Sequence, residues 1–226
     1  MKSGIIRKTD VFMPDYDHHS QMLNELGIAD NRENASSKFV RFEITPPNDD
    51  VFSPLDTWAF RVDQDIVPEW FEVDPGKFED SARTKLAAWA EEHIFIGLED
   101  VELKTGKSLY LKDCKNITLR GNVEVERLEG STVGQMREGS TVGQMWGSST
   151  VGEMRESSTV GQMWGSSTVG QMWGSSTAIL RAGVWGSTIK PETIILCDNA
   201  TIKDNRTKTL YQAGTWNLVA VEGEKP

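Results

Sequence analysis

Paired carboxylates are the first chemistry to test in this sequence. Asp63-Gln64-Asp65, with Glu69 close behind, offers the two acidic side chains that proton transfer requires and that carbohydrate-cleaving β-helices use. These residues fall in a turn outside the repeat region, so catalysis is not assigned to them. His18 and His19 lie beside Asp15 and Asp17, all of metal-ligating type. Adjacent histidines on a helix point to different faces and no third ligand accompanies them, so the segment reads as a solvated helix start. His93 ends an amphipathic stretch, where a cation complements the helix dipole. No catalytic, cofactor-binding or metal-binding residue emerges, and the chain reads as a non-enzyme.

A different signal dominates the second half. Ser131-Thr132-Val133-Gly134-Gln135-Met136 recurs from Ser140, Ser149, Ser158 and Ser167, each copy nine residues after the last, with Glu153 replacing Gln in one. Units this small cannot bury a hydrophobic face alone and must stack, which makes a solenoid. Val and Met lie three apart, an odd offset that sends them to opposite faces of a straight strand. The glycine after each Val (Gly134, Gly143, Gly152, Gly161, Gly170) resolves this if the chain bends there. A short Ser-Thr-Val strand and a short Gln-Met-Trp strand then each point one residue inward, and the Gly-Ser junction forms the second corner. Val and Met become the core columns of coils stacked at roughly 4.8 Å. Met suits that place because it fills irregular gaps.

The position after Met alternates: Arg137-Glu138, Trp146-Gly147, Arg155-Glu156, Trp164-Gly165, then Trp173-Gly174, which breaks the rule. A period of eighteen makes one coil of two copies, with an Arg/Glu edge on one side and a Trp column on the other. The candidate contact surface is therefore Trp146, Trp164 and Trp173 with Arg137 and Arg155, because a row of outward aromatics costs solubility and marks a contact face. The alternative is that the rings stack along the coil and shield it. Two nonapeptides per coil is also the arithmetic of the calcium-binding β-roll, but the Asp and paired glycines of that roll are missing and no cation is implied. The Thr ladder from Thr132 to Thr177 resembles an ice-binding array, interrupted here by Trp, Arg and Glu.

The elements that would position these columns follow from patterning. Residues 14–27 read as a helix capped by Asp15 or Asp17 and ended by Gly27; residues 28–37 read as a loop; residues 39–44 and 58–62 read as paired strands. A helix starts at Asp74-Pro75 and turns Phe78, Ala82, Leu86, Trp89, Ala90 and His93 to one side. From Leu98 short strands such as Leu109-Tyr110-Leu111 and Ile117-Thr118-Leu119 alternate with Asn and Gly corners, the spelling of a parallel β-helix. The expected organisation is an acidic α+β capping domain over 1–97 and a β-solenoid over 98–226. The solenoid has strict repeats at 131–175 and a degenerate tail carrying Val184, Ile189, Ile194, Ile202 and Leu210. The fold class is mainly β.

The run 111–122, Leu-Lys-Asp-Cys-Lys-Asn-Ile-Thr-Leu-Arg-Gly-Asn, followed by the tandem nonapeptides, resembles repeat-bearing hypothetical proteins encoded in phages and prophages. The resemblance implies a viral or mobile-element origin and a β-solenoid, and it transfers no functional residues. Composition narrows the partners. The net charge of −10 resides mostly in the first 97 residues, and without a basic stripe there is no surface to neutralise nucleic-acid phosphates. No apolar run reaches signal-peptide or membrane-span length, which points to the cytoplasm. Cys114 and Cys197 read as buried small hydrophobes. The leading reading is a non-enzymatic, phage-type solenoid that presents a rigid protein-binding or assembly surface to a host protein or to its own copies, as a homo-oligomer. The alternatives are a virion-associated, carbohydrate-contacting component and a polysaccharide-active β-helix enzyme.

Overall fold

Residues eighteen apart lie side by side in the computed structural model, which describes residues 1–180, 195–196, 200–204, 207–213 and 218–222. The chain forms two units, Met1–Glu92 and His93–Pro226. In the first, β1 (Lys2–Arg7), β2 (Val11–Phe12), β3 (Phe39–Thr45) and β4 (Ala59–Val62) make an antiparallel sheet in the order β2-β1-β3-β4. The α-helices of this segment are α1 (His19–Glu25), α2 (Arg32–Ala35), α3 (Glu69–Glu72) and α4 (Pro75–His93), with two short 3-10 turns at Pro47–Asp49 and Leu55–Thr57. Met22 and Leu23 of α1 pack on Ile5 and Phe39. The Lys2 ammonium lies over the Trp89 ring of α4 at 4.8 Å.

The strand pair over 39–62 and the Asp74-capped helix match the pattern in the sequence. Asp74 Oδ1 accepts the Lys77 N–H at 3.1 Å, and Ala82, Leu86, Trp89, Ala90 and His93 are buried. The first helix is shorter than its pattern: His18 occupies the N-cap, and Asp17 instead accepts the Ser3 N–H at 3.2 Å. Its end is as read, with Gly27 at φ 67°. The loop 28–37 contains the one-turn helix α2, capped by Asn31. Strand β1 escaped the sequence reading because it is buried along nearly its whole length and shows no alternation.

The second unit begins before Leu98. Strand β5 (Ile94–Ile96) follows α4 directly and pairs in parallel with β7 (Leu109–Lys112). The remaining strands are β6 (Glu102–Leu103), β8 (Ile117–Leu119), β9 (Glu124–Glu129), β10 (Thr132–Met136), β11 (Thr141–Trp146), β12 (Thr150–Met154), β13 (Thr159–Met163) and β14 (Thr168–Met172). They are followed by β15 (Thr177–Leu180), β16 (Ile195–Leu196), β17 (Thr201–Asp204), β18 (Thr209–Ala213) and β19 (Leu218–Glu222). Even-numbered strands β6 to β16 form one sheet. Odd-numbered strands β5 to β17 form the other, and β18 and β19 extend it antiparallel. This is a parallel β-solenoid of about five coils with two nonapeptides per coil. Of the expected tail, Val184, Ile189, Ile194 and Cys197 lie outside the described residues.

Each nonapeptide is one strand, not two. Thr132 to Met136 runs unbroken, with Val133 and Met136 both buried and Gly134 and Gln135 both facing away from the core. Two consecutive outward residues are the mark of a β-bulge. The bulge is visible where β10 meets the regular strand β8: Val133 pairs with Ile117 and Met136 with Leu119, so Gly134 is an added residue. Likewise β9 adds one residue against β7 between Val125 and Leu128. The bulges explain the coil length. Leu103 pairs with Leu119, sixteen residues on, whereas Met136 pairs with Met154, eighteen on. One extra residue per sheet accounts for the difference.

Glycine occupies the bulge for steric reasons. A Cβ built on Gly152 would lie 2.8 Å from the Gly134 carbonyl oxygen, and one on Gly161 2.7 Å from that of Gly143. The bulges stack in register and leave no room for a side chain. The corner comes after Met, where Gly147 and Gly165 take φ near 66° and Glu138 and Glu156 adopt φ 56° and 60°. A serine closes each corner from inside. Ser131, Ser140, Ser149, Ser158, Ser167 and Ser176 are all fully buried. Ser149 Oγ lies 2.7 Å from the Trp146 carbonyl, and Ser167 Oγ donates to that of Trp164 at 2.6 Å. Cys114 stands in the same column one coil earlier, its Sγ 3.3 Å from the Lys112 carbonyl.

Two outcomes test this geometry. Deleting residues 149–166 removes one coil and restores every column, whereas deleting 149–157 moves each following strand to the wrong sheet; melting curves should show cooperative unfolding for the first and loss of it for the second. Gly161→Ala should cost about 1–3 kcal/mol in denaturant unfolding through the clash with Gly143, while Gln162→Ala should change stability by less than about 0.5 kcal/mol.

Candidate contact surface

The side chains that follow Met stand at the two edges of the solenoid, and the edges differ. On the odd-strand sheet Trp146 and Trp164 stack with ring centroids 5.4 Å apart and planes 18° from parallel. The Arg127 guanidinium, one coil before, lies 5.1 Å from the Trp146 ring. Trp146 Nε1 donates to Gln144 Oε1 at 2.9 Å. Pairing places Lys112, Glu129 and Trp146 in one column. Within it Lys112 bonds Glu129 at 3.1 Å, and Arg127 pairs with the same carboxylate. Both indoles are half-buried. The ring stack that shields the coil is therefore the arrangement adopted by this pair.

Trp173 is not part of that column. Its N–H bonds the Met154 carbonyl, as the Arg155 N–H bonds Met136 and the Arg137 N–H bonds Leu119, so Trp173 continues the arginine column on the opposite edge. It is 39% exposed. The separation follows from the eighteen-residue coil: odd and even copies alternate between sheets, and the fifth copy returns to the sheet of the first and third. The structure thus brings together Arg137, Arg155 and Trp173 on one edge and Trp146 with Trp164 on the other.

The arginine edge is laced with carboxylates. Arg120 Nε donates to Glu138 Oε1 at 2.8 Å and also faces Glu102 at 3.8 Å. The hydrogen bond to Glu138, reinforced by its charge and that of Glu102, holds the Arg120 guanidinium above its ordinary pKa. Glu153 does the same for Arg155, 2.7 Å away. Glu156 accepts the Glu138 N–H at 2.7 Å. Arg137 is half-buried, and its Nε is closed off from solvent without an acceptor.

The sequence reading missed Lys112, Arg120, Arg127 and Glu129. A signal existed: Glu124-Val125-Glu126-Arg127-Leu128-Glu129-Gly130-Ser131 keeps the Val-to-Met offset of three and the Gly-Ser corner, and is a degenerate copy. In the first unit Asp63 is tied to His19 Nδ1 at 3.3 Å, and His19 Nε2 faces the Phe42 carbonyl at 3.2 Å. His19 is thus a partly buried link between α1 and the strands, not a solvated end. Asp63, Gln64 and Asp65 line a hollow of about 590 Å³ with Asp30, Arg41 and Arg61. Gln64 is fully engaged there, accepting the Arg41 N–H at 2.8 Å and donating to the Ile66 carbonyl at 2.6 Å. Burial pushes the Lys2 ammonium below its ordinary pKa, while Asp17 and Asp15 act the other way.

Among the described residues no group of three or more His, Cys, Asp or Glu side chains is placed to hold a metal ion. No helix among them is long and apolar enough to cross a membrane. No family model, curated protein or solved structure matches the chain.

The corner glutamates give a direct test. A left-handed conformation costs a residue with a side chain about 1–2 kcal/mol that glycine does not bear. Glu156→Gly should therefore be about 1 kcal/mol more stable than Glu156→Ala, which loses the same hydrogen bond but keeps the strain, as read by urea unfolding.

Proposed function

We propose that this protein is a non-enzymatic solenoid scaffold whose edges form a rigid contact surface for a protein partner or for copies of itself, in the phage-type role that the likeness of its repeat implies. The observation that carries this reading is the division within each nonapeptide. Val, Met and Ser are sealed inside in every strict copy, and the largest remaining side chains stand outside, Trp146 and Trp164 on one edge and Arg137, Arg155 and Trp173 on the other. Rigid, preorganised edges bind with little ordering cost, and aromatic and arginine side chains are the usual anchors of protein interfaces. The acidic first unit adds attraction for a basic partner.

A sugar-stacking platform receives less support. Trp146 and Trp164 cover one face of each other, and Arg127 lies over the Trp146 ring, which takes up ring faces that sugar stacking needs. The polysaccharide-active alternative would rest on Asp63 and Asp65, and the Asp63 carboxylate is already engaged by His19.

The Trp146→Ser/Trp164→Ser variant should stay folded by circular dichroism, losing about 1–2 kcal/mol from the ring stack. Proteins retained from a bacterial lysate by the wild-type chain should be lost on this variant. Equal retention by both chains, or shortening of a polysaccharide by the wild type, would overturn the reading.

A further inference from the structure

Two columns run side by side along the even-strand edge. Arg120, Arg137 and Arg155 form one and Trp173 continues it. Glu138 and Glu156 form the other, with Gly121 and Gly174 at the matching left-handed corners below and above. Arg120 is paired with Glu138 and Arg155 with Glu153. Among the described residues Arg137 and Glu156 are in no ion pair.

A positive column beside a negative one complements itself in one arrangement. A two-fold axis parallel to the solenoid axis lays each arginine column over the glutamate column of a second copy, at the same height. A two-fold axis across the solenoid would lay arginine over arginine. The parallel operation also sets Trp173 over the second copy's Gly174, an indole against bare backbone. The glutamates sit at left-handed corners where the opposite edge carries Gly147 and Gly165, so the corner conformation does not call for them.

We propose that this edge joins two copies of the chain side by side and parallel, with Arg137 of each copy reaching Glu156 and Glu138 of the other and Trp173 seated on the facing glycine corner. The proposal rests on the reading of the edges as contact surfaces and names the occupant of one of them. Exposed ion pairs are individually weak, so the dimer is concentration-dependent and salt-sensitive.

Light scattering on the full chain tests it. The wild type should shift from dimer toward monomer between about 50 and 500 mM salt. Arg137→Glu/Arg155→Glu turns two of the three arginines of the column negative, and Glu138→Arg/Glu156→Arg turns both corner glutamates positive. Each alone should associate at least about tenfold more weakly, and an equimolar mixture should restore a dimer. Should a reversed variant fail to fold, Arg137→Gln/Glu156→Gln should show the same loss. The Trp146→Ser/Trp164→Ser variant, altered on the other edge, should dimerise like the wild type. A wild type that is monomeric at low salt, or folded reversed variants whose mixture stays monomeric, would overturn the proposal. Retention of lysate proteins by the opposite edge would still stand in that case, so the two readings fail separately.

Discussion

The solenoid depends on one constraint: the backbone of each nonapeptide must hydrogen-bond to the copy eighteen residues away with nothing between them. Parallel pairing brings Val133 beside Val151 and Val151 beside Val169, and the same register holds for Met136, Met154 and Met172. The bulge makes this possible with an odd spacing. It turns Val and Met to the same side, and only glycine allows consecutive bulges to approach with carbonyl oxygens less than 3 Å from where a Cβ would sit. Loss of the bulge would drive one of the two core columns into solvent.

Stacking identical residues has opposite consequences for different side chains. Val and Met columns share one continuous buried core, and the Ser149 and Ser167 hydroxyls add a side-chain hydrogen bond to the Trp146 and Trp164 corner carbonyls, which already accept backbone N–H groups. Trp146 and Trp164 gain a ring contact from the same repetition. Like charges do not benefit, since repulsion at this spacing is about 1 kcal/mol per neighbour even in water. The arginine column is accordingly interleaved with glutamates from the corner and from the strand, Glu138 and Glu153 among them.

The first unit works by different physics. Its sheet is antiparallel and its core irregular, and polar links cross between elements: Lys2 to the Pro14 carbonyl at 2.9 Å, His19 to Asp63, and Gln64 to three backbone carbonyls. Gly4 lies opposite Phe42 in the register, and the Phe42 ring occupies the space a Cβ would need. These contacts are individual and show no periodicity.

The sequence by itself determined the solenoid, the eighteen-residue coil and the inward Val and Met columns, because a strict repeat forces every copy into the same environment. It also determined the Asp74-capped helix, whose cap and apolar spacing are local. Tertiary structure alone decided that glycine marks a bulge inside one strand and not a corner between two, since that depends on the carbonyl of the neighbouring coil. It decided that Trp173 parts from Trp146 and Trp164, because edge membership is set by which sheet a copy enters. It also decided that Lys112, Arg120, Arg127 and Glu129 join the edges, and that His19 meets Asp63 across forty-four residues of chain. Repetition makes long-range register legible in a sequence; where the chain does not repeat, the pairings follow from packing alone.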